Sequence, residues 1–150
     1  MSKKEVVTQQ RKHQLQTRSK ILEMENALME LVDGKNIVKG DSEVFPLKHT
    51  FTDGIYIRQM SLKKDSAVIG KIHKNPHVWF LLSGSLVVAS ETSDSDYEAP
   101  CYIEAPAGSK RIIYAHTNCI FVTVHATDKK DVREIEKDIL LDNFLDEEKE

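Results

Sequence analysis

Gly70-Lys71-Ile72-His73-Lys74-Asn75-Pro76-His77-Val78-Trp79-Phe80-Leu81-Leu82-Ser83-Gly84 is the stretch around which this chain is organised. Two histidines flank a short Lys-Asn-Pro break, and an apolar run then ends at Ser-Gly. Proline removes a backbone donor and fixes φ, so the break is a corner between two extended segments. The run after it carries the β-branched and aromatic residues of a strand. Two imidazoles on either side of a corner mark a candidate site.

Working outward, strand signals surround this segment. Val44 to Phe51 has β-formers interrupted by Pro46, which demotes it to an edge or a bulge. Asp53-Gly54 is a hairpin signal before Ile55 to Leu62. Ala67 to His73 leads into the corner, and His77 to Ser90 is a long strand or two strands broken at Ser83-Gly84. Glu91 to Glu98 is polar and acidic and reads as a loop. Pro100 to Ala105, Lys110 to Ala115 and Cys119 to Ala126 read as strands, with a turn at Pro106-Ala107-Gly108-Ser109. About eight short strands at turn-marked intervals predict a sandwich or barrel.

Helical patterns lie on both sides. Ile21, Met24, Leu28 and Leu31 form one face, widened by Leu22, Met29 and Val32, with a stop at Asp33-Gly34. That stripe has to bury itself, either on its own chain or on the same helix of a second copy. Thr127 or Asp128 is expected to cap a last helix with the stripe Val132, Ile135, Ile139 and Phe144 beyond it. The organisation expected is a flexible basic arm over 1–13, a helix and linker over 14–43, a β portion over 44–127, and a helix with an acidic tail over 128–150.

Charge and composition narrow the classes. The net charge of −3 covers a basic start, where Lys3, Lys4, Arg11, Lys12, Arg18 and Lys20 face Glu5 alone. From Asp128 to Glu150, ten acidic residues face five basic ones. No aromatics interleave with the basic residues, so a nucleic-acid partner is not expected. No apolar run reaches the roughly 18 residues of a membrane span, and Met1-Ser2-Lys3-Lys4-Glu5 lacks a secretory core. Cys101 and Cys119 lack a Cys-x-x-Cys spacing and read as reduced core thiols, so the expected setting is cytoplasmic. No Gly-x-Ser-x-Gly elbow or phosphate-binding glycine loop is present.

The two turns at the centre resemble the cupins, small jelly-roll barrels with two motifs. The first reads Gly-x5-His-x-His-x3/4-Glu-x6-Gly, and the second Gly-x5-Pro-x-Gly-x2-His-x3-Asn. His73-x3-His77-x6-Gly84 matches the tail of the first, with histidine in the glutamate position. Pro106-Ala107-Gly108 matches the Pro-x-Gly of the second. The chain departs elsewhere: Lys71 and Arg111 stand where histidines would be, Asp65 and Pro100 replace the leading glycines, and Ala115 replaces the asparagine. The resemblance covers roughly residues 44–126 and implies a mainly β, cupin-like jelly-roll barrel between the two helices. The wording also resembles small cupin-like proteins of tailed-phage genomes. That would place the chain in an infected bacterial cell or a virion, with phage structural proteins as partners. A homo-oligomer, dimer or higher, is the expected state.

Alternation places His73 with Lys71 and Ile69, His77 with Trp79 and Leu81, and His125 with Thr123 and Phe121. The resemblance puts a metal between the strands of the two motifs, where His125 would supply a third imidazole. Three neutral imidazoles suit zinc, and also iron, nickel or copper. Arg111 inside a small barrel demands a carboxylate or a bound anion, and Lys71 would reinforce a positive interior. The candidate set is therefore His73, His77 and His125 for a divalent metal, with Arg111, Lys71 and Trp79 for an anionic small ligand. An internal ion pair for Arg111 and core packing for Trp79 are the plainer alternatives. A non-catalytic assembly protein with the barrel as scaffold is the rival class.

Overall fold

The computed structural model describes residues 2–31, 45–90, 94–108 and 110–141. Among these residues ten strands lie between two helices, and an eleventh follows the second helix. Helix α1 runs Lys3–Leu31 and helix α2 runs Val132–Ile139. The strands are β1 Leu47–Thr52, β2 Ile55–Leu62, β3 Ala67–Ile69, β4 Ile72–His73, β5 His77–Ser83, β6 Ser85–Ser90, β7 Asp94–Glu98, β8 Cys101–Ala105, β9 Arg111–Ala115, β10 Cys119–Ala126 and β11 Leu140–Leu141.

The first sheet has the order β1-β2-β10-β5-β8, the second β3-β9-β6-β7, and a small ribbon pairs β11 with β4. Every pairing is antiparallel. The two large sheets face each other as a jelly roll and are not paired into a closed barrel among the described residues. Trp79 and Phe121 from the first sheet meet Leu86, Val88, Ile113 and Ala115 from the second in one buried cluster. Trp79 is 2% exposed, edge-on to Tyr97 and tilted on Phe121, each at 5.0 Å between ring centroids. Aromatic pairs of this kind contribute about 0.5–1.5 kcal/mol beyond their buried area.

Chain reversals follow the turn chemistry. Asp53-Gly54 joins β1 to β2, and Pro46 precedes the edge strand β1. Gly84 separates β5 from β6 with φ of 87°. A Cβ there would strike the Asn118 carbonyl oxygen and come within 2.7 Å of Cys119 Sγ. Glycine is therefore required by both backbone conformation and space. Cys101 and Cys119 are both free thiols.

Three elements differ from the sequence expectation. Helix α1 begins at Lys3, so the segment expected as a flexible or weakly helical arm forms its first turns. The cause is a capping box: Ser2 N donates to Glu5 Oε2 at 2.6 Å, and Glu5 N donates to Ser2 Oγ at 3.2 Å. Hydrogen bonds from the Ser2 backbone and side chain hold the Glu5 carboxyl below its usual range. The polar segment expected as a loop contains β7, which lines the sheet edge against β6 and turns Tyr97 toward the core. The last helix is capped by Asp131, later than Thr127 or Asp128, because Asp131 Oδ1 accepts from both Arg133 N and Glu134 N at 2.9 and 3.1 Å.

In α1, Ile21 is buried, while Leu22 is exposed and does not widen that face. The side chains of Met24, Leu28, Met29 and Leu31 lie outside the described residues, as do Val32, Asp33-Gly34, the linker, Phe144 and the acidic tail. No helix is long and apolar enough to cross a membrane among the described residues.

Candidate functional site

Alternation and register assemble the site before any side-chain distance is considered. The inward positions of the first sheet are the odd residues of β1, β5, β8 and β10 and the even residues of β2. Register then sets Phe51 opposite Tyr56, Tyr56 opposite His125, and His77 opposite Ala105. Val78 pairs with Val124, which brings His77 beside His125 one step on. The next inward row is His49, Arg58, Thr123, Trp79 and Ile103. One end of the space between the sheets is thus lined by polar groups, while the other is apolar.

His73 reaches this end from β4, which belongs to neither large sheet. Its backbone is fixed from two sides. Gly108 N donates to the His73 carbonyl at 2.9 Å, and β11 pairs Leu140 with His73. Lys74 N adds a bond to the Ile139 carbonyl at 2.8 Å. The Pro-x-Gly turn of the second motif thereby positions a histidine of the first. The α2–β11 segment, anchored by fully buried Ile135, completes the clip.

The three imidazoles come together. Ring centroids are 3.9 Å apart for His73 and His77, 5.4 Å for His73 and His125, and 5.3 Å for His77 and His125. Burial dominates their titration and disfavours the imidazolium. It pushes His73 down to about 2, helped by the charges of His77, His125, Arg111 and Arg58. His77 falls to about 4 through burial, then Arg111 and His125, with the Asn75 backbone opposing. His125 falls to about 4 through burial and Arg58. All three rings are neutral at pH 7. His77 Nδ1 is buried without a hydrogen-bond partner of good geometry, the nearby Asn75 backbone being only a weak opposing influence.

Neutral imidazoles with an orphaned buried nitrogen fit a divalent metal in donor chemistry. The rings stack with interplanar angles of 8–30°. Among the described residues no set of three or more His, Cys, Asp or Glu side chains is arranged as a metal-holding cluster as it stands. Ligation at the roughly 2.0–2.1 Å typical of zinc–imidazole bonds requires these rings to turn about their side-chain torsions.

The remaining expected ligand residues separate. Arg111 follows the alternation of Ile113 and Ala115 on β9, so it faces inward at the polar end of the second sheet, where its charge bears on His73 and His77. Lys71 is exposed: the chain leaves β3 at Gly70 and enters β4 at Ile72, and this break ends the alternation that would have turned it inward. Trp79 is locked in the apolar core between Tyr97 and Phe121 and offers no face to a ligand. His116 is exposed, with Nε2 3.2 Å from Asp96 Oδ1.

Three contributors, Tyr56, Arg58 and Glu136, escaped the sequence reading. Tyr56 is fully buried, its ring stacked on His125 at 6.0 Å, and its hydroxyl lies 2.7 Å from His49 Nδ1. Burial raises the Tyr56 phenol above its usual range. Arg58 lies on the same face, with Nη1 3.3 Å from Glu136 Oε1 of α2. The signal was in β2, where Ile55 and Ile57 alternate with Tyr56 and Arg58. There the isoleucines point outward and the polar residues inward.

No family model and no curated protein matches the sequence. Solved structures do. Salicylate 1,2-dioxygenase from Pseudoaminobacter salicylatoxidans, in adducts with gentisate, is similar with a TM-score of 0.54 at 11% identity, over 77% of this chain and 32% of that one. KdgF from Halomonas sp. gives 0.51 at 9% identity, over 62% and 86%. A cupin superfamily protein from Desulfitobacterium hafniense gives 0.49 at 13% identity, over 61% and 84%. At such identities the likeness is one of fold. The chain has a cupin-like jelly-roll fold.

Proposed function

We propose that this chain is a cupin-type binding protein whose polar end holds a divalent metal through His73, His77 and His125 and takes an anionic small ligand beside it. One observation carries the reading: three inward imidazoles from β4, β5 and β10 gather within 3.9–5.4 Å, with a buried nitrogen of His77 left unpartnered. A folded domain gains nothing from such a cluster, since an unpartnered buried polar atom costs about 1–3 kcal/mol. A metal bound there supplies Lewis acidity at an open coordination position. The chain itself contributes neutral donors, because burial keeps the three rings unprotonated. It also contributes a guanidinium, Arg111, whose planar fork suits carboxylate or phosphate. The fold does not select a reaction.

Elemental analysis of freshly purified protein tests the reading. Near one equivalent of metal per chain is expected, falling to background in His73→Ala and His125→Ala variants of unchanged circular dichroism. A wild-type chain that neither carries metal nor takes up added zinc, nickel, iron or copper overturns it.

A second reading concerns assembly and rests on α1. This helix leaves Val7 and Leu15 more than half exposed, and Val6 and Leu22 partly so. That favours self-association through α1, and a sedimentation equilibrium mass of a single chain would exclude it.

A further inference from the structure

We propose that Arg58 is the anion-recognition residue of the polar end and that Glu136 of α2 holds its guanidinium as an internal stand-in for a small organic carboxylate. The inference rests on reading that end as a ligand site, and it names a residue and a ligand class that the reading leaves open.

Arg58 lies on the inward face of β2, directly opposite Thr123, with Tyr56 and His125 paired one row away. Diagonal neighbours at this spacing are within reach of a long side chain. The Arg58 charge accordingly bears on both His125 and His73. Its recorded partner is Glu136, through one contact of 3.3 Å between side chains that are 23% and 30% exposed. A single long contact leaves most of the fork's donors uncommitted to this carboxylate, whereas a well-matched carboxylate engages a guanidinium through two parallel bonds. The contact also shows that a carboxylate oxygen reaches Arg58 from the α2 side.

Exchange needs little motion. Helix α2 stays seated through fully buried Ile135, the Asp131 cap and the β11–β4 pairing, none of which involves the Glu136 side chain. Only the Glu136 side chain swings into water, where it is already partly exposed. The incoming carboxylate then lies between Arg58 and the three imidazoles, with Arg111 on the facing sheet. Two guanidinium groups facing the same space favour an anion over a neutral or cationic ligand.

The test is an NMR titration of the metal-free, full-length chain with succinate. Removing the internal competitor by Glu136→Gln should tighten the dissociation constant about two- to five-fold, the scale set by partly exposed ion pairs. Arg58→Gln should weaken it about ten-fold or more, and Arg58→Lys should recover part of the loss. The double variant Arg58→Gln/Glu136→Gln should behave as Arg58→Gln alone. Thermal melts confirm that each variant is folded. An unchanged or weakened affinity in Glu136→Gln overturns the proposal, as does wild-type affinity in Arg58→Gln or no saturable response in the wild-type chain. Zinc uptake by the same preparation is read separately. Uptake without a carboxylate response strikes this proposal and leaves the metal reading; the reverse leaves this proposal and strikes the metal.

Discussion

The two ends of the space between the sheets are built on the same strands and the same inward positions, yet they hold opposite chemistry. At one end Leu81, Phe121, Leu86, Val88 and Ala115 close around Trp79. At the other, Tyr56, Arg58, His77 and His125 occupy equivalent positions of β2, β5 and β10, and His73 and Arg111 face them. The apolar end accounts for folding, because each side chain buried there removes hydrocarbon from water at roughly 25 cal/mol per Å2. The polar end opposes folding, because it desolvates imidazoles and a guanidinium. A fold that keeps both has a use for the second.

Disturbing the apolar end should have the largest effect. Trp79→Ala is expected to lose about 3–5 kcal/mol in urea unfolding through lost burial and an unfilled cavity. A loss below about 1 kcal/mol would mean that Trp79 is not the centre of the core.

Acid should act on the polar end. The pKa values of His73, His77 and His125 lie below that of an unfolded histidine, about 6.5. The unfolded chain therefore binds protons first, and stability is full above about pH 6.5 and falls as pH drops toward about 4. The loss should be on the order of a few kcal/mol, seen as a falling urea midpoint between pH 7 and 5. A flat profile would contradict the neutral, buried cluster.

A smaller effect of opposite sign separates the two ends further. His77→Leu removes the unpartnered Nδ1 and should raise stability at pH 7 by about 1 kcal/mol. It should also flatten the acid dependence and abolish metal uptake. At the apolar end no polar-for-apolar exchange of this kind is available.

The smallest effect concerns the clip that seats His73. Asp131→Ala removes the acceptor for two backbone donors and should cost about 0.5–1 kcal/mol. Hydrogen exchange should quicken first at Lys74, whose amide bonds to the Ile139 carbonyl. Equal acceleration throughout β5 and β10 would show that the clip is not a separate unit.

The apolar end was largely legible in the sequence, because period-two runs and turn residues carry that signal locally. Ser83-Gly84 broke the long run where the structure separates β5 from β6, and Asp53-Gly54 made its hairpin. The polar end was legible only where a motif fell on it, at His73 and His77 and by alternation at His125. Tyr56 and Arg58 were missed because β2 reverses the usual rule, turning Ile55 outward at 41% exposure and Tyr56 inward at 0%. Lys71 was misplaced because alternation was carried across the Gly70 break. Glu136 and β11 were out of reach, since their partners on β2 and β4 lie far away in sequence and no local pattern encodes that pairing.

The central claim is that His73, His77 and His125 act together as neutral metal donors, and the six histidines of the chain provide its control. Side-chain 15N spectra of histidine-labelled, metal-free protein should show these three rings uncharged from pH 8 to 6. One equivalent of zinc should then move one nitrogen of each of the three and leave His13, His49 and His116 in place. Separate responses, or a zinc shift at any other set of histidines, would contradict the account.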